Sequence, residues 1–203
     1  TRIFEQGEYG IITDIYALIP FALVVLTMGM ESSYFRFTTR AEEEGGDIKA
    51  AKRKVFATTW GITSLAAVVF FIAVWAFNMP ISRAMGEVYV LHPEYVTIVA
   101  AIVMVDVWTM IPFSRLREQG RAMRFVLLKA LSVLLNVGLA IGFGIAGLYS
   151  TTFGVGWVLI ANLAASIITL IALLPTTNGI VPRIDFPLLR KIFVYSLPLL
   201  ISG

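Results

Sequence analysis

The residues of this 203-residue chain that could do chemistry are few, and almost everything around them is apolar. Asp106 sits in IVMVDVWTMIPF, midway along an otherwise uncharged run. An aspartate facing lipid at such a depth costs about 2.5–3.5 kcal/mol on insertion scales, so Asp106 must face a polar interior or carry a proton. A carboxylate there could hold a coupling cation or proton or pair with a substrate-binding arginine. It could also serve packing alone, through a hydrogen bond to a neighbouring helix. Asp14 lies near the start of another apolar segment, where helix capping or a dipole interaction accounts for it. Arg2 precedes IFEQGEYG and reads as a snorkelling interfacial residue. The fourth feature is LTMGMESSYFRFTTR, residues 26–40, an apolar run that closes on Glu31, Arg36 and Arg40 with aromatic residues between the charges. It is either a solvated helix end or a charged gate.

Several chemistries are excluded by composition. The chain has no cysteine, and its only histidine is His92, so thiolate sites, cysteine nucleophiles and histidine metal clusters are absent. No Walker-type phosphate loop, GxSxG elbow or HExxH motif occurs, so the chain itself is not expected to hydrolyse ATP. No cofactor is implied.

The elements that must position these residues are membrane spans. The chain is 58% hydrophobic and 14% charged, with mean hydropathy +0.85, against about 25% charged residues in ordinary soluble domains. VFATTWGITSLAAVVFFIAVWAFN, residues 55–78, is uncharged and longer than the roughly 20 residues that cross a bilayer. Trp60 and Trp75 lie toward its two ends, as interfacial anchors would. The same criterion predicts helices over about residues 11–30, 94–113, 125–148 and 155–175. The fold class is therefore an all-α polytopic membrane protein, with five complete spans and the start of a sixth after residue 186.

Charge placement agrees with this count. Of 16 Lys and Arg, all but Arg2 and Arg83 fall on one side of the predicted membrane, including Lys129. The positive-inside rule then puts the connections around residues 31–54, 114–124 and 176–191 in the cytoplasm. The net charge of +3 is explained by topology, not by nucleic acid. AEEEGGDIKAAKRK, residues 41–54, reads as a solvated connection. RLREQGRAMRF, residues 115–125, concentrates four arginines that meet either lipid phosphates or simply the topology rule. Gly138 and Gly142 stand at GxxxG spacing for close helix approach, and Asn136 and Asn162 are read as amides bonding across helices. Pro20, Pro112 and Pro198 interrupt apolar segments and are candidate hinges or static kinks. Thr1 opens on the outer side without an initiator Met, and Gly203 falls inside an apolar run, so the chain reads as an internal fragment.

TRIFEQGEYG, the helix end LTMGMESSYFRF, IPFSRLREQGRAMRF and FPLLRKIFVYSLPLLISG, in that order, resemble the polysaccharide biosynthesis, or Wzx-type, oligosaccharide flippases. These belong to the multidrug/oligosaccharidyl-lipid/polysaccharide exporter superfamily. The resemblance implies a two-lobed transporter of 12 to 14 helices. Residues 1–185 would be most of the N-terminal lobe without its first helix, and 186–203 the opening of the C-terminal lobe. It implies translocation of an undecaprenyl-pyrophosphate-linked oligosaccharide across the bacterial inner membrane, with membrane lipids and polysaccharide assembly proteins as partners and no enzymatic step. By the same resemblance, Arg2 contributes cavity charge for the diphosphate, and Asp14 falls near an acidic cavity position. Asp106 is the remaining cavity candidate. Arg36, Arg40 and Glu31 would form the cytoplasmic gate, with Glu31 pairing Arg36 when closed. The remaining cavity cations are expected outside this chain. The alternatives are a cation-coupled multidrug exporter and, ranked last for want of a long outer loop, a membrane glycan polymerase or ligase.

Overall fold

The computed structural model describes the backbone of residues 6–202 and the side chains of residues 10 and 12–196. It is 86% helical, with no strand among the described residues, and five segments are long and apolar enough to cross a membrane. The chain is an all-α polytopic membrane protein. Its helices are α1 (Gln6–Thr27), α2 (Met30–Glu44), α3 (Ile48–Ala76), α4 (Asn78–Met85), α5 (Glu87–Leu91), α6 (Pro93–Glu118), α7 (Ala122–Ile145), α8 (Gly156–Leu173) and α9 (Phe186–Ser202).

The apolar runs are helical as the sequence predicts, but several helices extend beyond them. The connection expected around residues 31–54, with its solvated stretch 41–54, is instead α2 and the first turns of α3, separated only by Gly45–Asp47. Gly45 and Gly46, both at positive φ, make the turn, and the Asp47 carboxylate caps α3 by accepting from the Ala50 N–H at 3.0 Å. The apolar-to-charged boundary in LTMGMESSYF is a break: Met28 (φ 46°) and Gly29 (φ 66°) turn the chain between α1 and α2. Gly29 also lies under α9, where a Cβ would stand 3.6 Å from the Ser196 carbonyl oxygen. The connection between α3 and α6 forms α4 and α5, held to α6 by the Asn78 side-chain amide, which donates to the Pro93 carbonyl at 2.9 Å and the Thr97 hydroxyl at 2.7 Å.

α6 is the centre of the bundle and contacts α1 to α5, α7 and α8. Its surroundings divide into two larger apolar clusters and a small one of Phe113, Leu116 and Leu173. Ile15, Ile19, Ala67, Tyr95, Ile102, Val103 and Leu159 pack in the half nearer α4 and α5. Met30, Tyr34, Phe56, Trp60, Ile111 and Ile192 pack in the half nearer the basic residues. Inside lipid the driving force is close packing more than water exclusion, and small hydroxyl residues permit it. Thr59, Thr63 and Thr169 are buried, and each bonds the carbonyl four residues back at 2.7–2.9 Å, so none needs a partner from another helix.

Pro112 lies inside α6 without ending it. A proline cannot donate to the carbonyl four residues earlier, which here belongs to Trp108. The Trp60 indole N–H of α3 fills that vacancy, donating to the Trp108 carbonyl at 3.1 Å, while the Trp108 indole N–H reaches back to the Ser64 carbonyl at 3.3 Å. Trp60 is therefore buried at 8% exposure and is not the interfacial anchor expected; Trp75, 64% exposed, lies on the surface. Among the described residues Gly138 and Gly142 do not meet another helix either: a Cβ on either would find nothing within 4 Å. α7 rests on α8 and turns these glycines, with Leu134 and Ile141, outward.

Candidate functional site

Helical spacing places Asp106, Met110, Phe113 and Arg117 on one face of α6, at i, i+4, i+7 and i+11. That face lines a cavity of about 550 Å³ closed by α1, α2, α7 and α8. Asp106 lies about 18 Å along α6 from Glu118 at 1.5 Å per residue, so it is well inside the span. Its Oδ1 accepts from the Ser166 hydroxyl of α8 at 2.7 Å. Lys129 of α7, Ser132, Asn162, Thr27 and Glu31 complete the polar lining. Two carboxylates and two cations thus share one cavity, whose formal charge balances.

The cations were the part the sequence concealed. Arg117 reads as a loop arginine but belongs to the last turn of α6, and it pairs with Glu31 across 86 residues of sequence. It also donates to the Ser114 hydroxyl at 3.2 Å and lies over the Phe35 and Phe125 rings. Lys129 reads as part of the basic connection but lies two turns into α7. Its Nζ stands 4.4 Å from the centre of the Phe113 ring and forms no ion pair among the described residues. Two cations of this chain thus line the cavity, although the sequence led such cations to be expected outside it. The signal was Lys129 itself: a lysine seven residues after Ala122, inside the apolar run FVLLKALSVLLN.

The three gate candidates separate. Glu31 faces Arg117 and not Arg36, because residues 31 and 36 point to different sides of α2. Arg36 stacks on the Tyr195 ring of α9 at 4.0 Å. Arg40 pairs with Glu44 one turn on, at 2.6 Å and on the surface. Asp14 is exposed and lies outside the cavity; α1 is described from Gln6, so Asp14 stands two turns inside the helix and cannot cap it. Its charge reaches Tyr89 of α5, whose phenol is raised above its ordinary range by burial first and by Asp14 second. Arg2 lies outside the described residues. Asn162 opens into the cavity, and neither it nor Asn136 bonds another helix among the described residues.

A second cavity, of about 740 Å³, lies on the other side of α6 at its basic end. Arg115, Glu118 and Gln119 face it from α6, one to two residues out of phase with Arg117 of the first face, opposite Lys49, Lys52 and Arg53 of α3. Lys52 bridges Glu118 and Glu42, and the Tyr34 hydroxyl donates to Glu118 at 3.4 Å. Beyond α3, Lys54 pairs with Asp185 at 2.8 Å, and this pairing, with the Leu188 N–H, holds the Asp185 carboxyl below the usual carboxylate range.

No protein family, curated protein or solved structure matches the chain.

Proposed function

We propose that the protein is a transporter, not an enzyme: a Wzx-type flippase that carries an undecaprenyl-pyrophosphate-linked oligosaccharide to the outer leaflet of the bacterial inner membrane for surface polysaccharide synthesis. The observation that carries this reading is Lys129, a cation that forms no ion pair among the described residues, facing a polar cavity between membrane-spanning helices. A diphosphate leaving water loses hydration that only fixed cations and donors can replace. Lys129 is available for it, and Arg117 becomes available when its pairing with Glu31 opens. Ser132, Asn162 and Ser166 add neutral donors. Outward movement of the anionic headgroup is further favoured by an inside-negative potential, by about 2.3 kcal/mol per charge per 100 mV.

Asp106 favours a second reading. A carboxylate hydrogen-bonded at mid-span can exchange a proton or bind a cation, as a cation-coupled multidrug exporter requires. Expression of the full-length protein in a strain lacking its oligosaccharide flippase separates the two. Restored surface polysaccharide supports the flippase. Correct membrane insertion without restoration, accompanied by resistance to cationic drugs, overturns it in favour of the exporter.

A further inference from the structure

The second cavity differs from the first in its charge. Five cations line it, Lys49, Lys52, Arg53, Arg115 and Arg121, against the single carboxylate of Glu118. Only Lys52 spends its charge on acids, Glu118 and Glu42. Arg115 is held in place by stacking at 4.5 Å on Phe56 and by one N–H donated to the Thr177 carbonyl at 3.0 Å. That leaves most of its five donors unspent. Lys49, Arg53 and Arg121 form no ion pair among the described residues. Three segments distant in sequence, the start of α3, the end of α6 and the stretch at Asn178–Ile180, converge to hold like charges together. Such a concave surface, with five cations against one carboxylate, concentrates an anion.

We propose that this cavity binds a phosphate group, either the headgroup of an anionic phospholipid or a soluble pyrophosphate or phosphate ester. Guanidinium forks match phosphate oxygens, two or more of them can share one phosphate, and the volume admits a headgroup. The cavity lies at the basic end of the bundle, at helix termini, where headgroups and solutes both reach it. The assignment is independent of the flippase reading, because it uses neither Lys129 nor Asp106.

The test uses the whole chain in a neutral detergent, titrated with inorganic pyrophosphate by calorimetry, and in nanodiscs of phosphatidylcholine with or without phosphatidylglycerol, with bound lipid read by native mass spectrometry. A double variant, Arg53→Gln with Arg121→Gln, removes two exposed, unpaired cations of the cavity. Arg124→Gln with Arg190→Gln removes two outside it. Saturable pyrophosphate binding weakened about 100-fold by the first pair and less than about twofold by the second supports a soluble ligand; two lost charge-assisted hydrogen bonds correspond to that factor. Retention of phosphatidylglycerol that only the first pair abolishes, and that pyrophosphate does not displace, supports a lipid headgroup. If the first pair fails to yield folded protein, Lys49→Gln alone should weaken the same binding about tenfold. Absence of binding to either anion, or equal loss in both pairs, overturns the proposal.

Discussion

The two cavities lie on different faces of α6, yet they treat charge in opposite ways. On the Asp106 face, two carboxylates are matched by two cations, within spans where unbalanced charge is expensive. On the Arg115 face, five cations meet one carboxylate, at a helix terminus where water and phosphates can neutralise the excess. A balanced site can release an ion that passes through it, because its groups can re-pair. An unbalanced one tends to retain an anion.

The sharpest way to break this comparison is to unbalance the first cavity. Lys129→Met leaves two carboxylates against Arg117. Reconstituted lipid-linked oligosaccharide translocation should fall at least tenfold, the weight of one lost charge-assisted contact. Arg53→Gln in the second cavity should leave translocation unchanged; equal losses would mean that the two sites act as one.

A smaller effect concerns the wall between α3 and α6. Trp60→Phe removes the donor that satisfies the Trp108 carbonyl and should lower stability by about 1–3 kcal/mol, read by thermal unfolding in detergent. Adding Pro112→Ala restores a backbone N–H to that carbonyl, and the double variant should recover most of the loss. Additive destabilisation would show that Trp60 matters only as packing.

In the second cavity, Glu118→Gln should cost about 1 kcal/mol through its bond to Lys52. The same change should raise pyrophosphate affinity several-fold; a fall in affinity would contradict the role given to the excess charge.

The smallest effect lies at Asp185. Its carboxyl is lowered in the folded protein, so its contribution is present above about pH 3.9 and is lost as pH falls through the lowered value. Asp185→Asn should remove that small contribution at neutral pH and leave stability below the lowered value unchanged, so that the acid limb of the unfolding curve flattens.

The five spans were legible because length and apolarity alone decide them. Helix ends were not, because α2, α3 and α6 run past the hydrocarbon region into polar sequence that a membrane criterion does not register. Asp106 stood out as the one charge in its run, and the structure sets it in the cavity wall. Its neighbours were hidden for two reasons. The pairing of Glu31 with Arg117 spans 86 residues, and Lys129 follows four arginines closely enough to be counted with them. Trp60 was misplaced because position in a span suggested an interface, whereas the need of a carbonyl freed by Pro112 drew its indole inward.

That last contact also sets how the bundle can deform. If α3 slid along α6 by one helical turn, about 5.4 Å, the Trp108 carbonyl would be left bare in a medium with no water to replace the indole. The two longest helices among the described residues are therefore keyed in a single register. A change of shape in this bundle would have to spare that register, and the backbone already turns at another place, the left-handed pair Met28–Gly29 between α1 and α2.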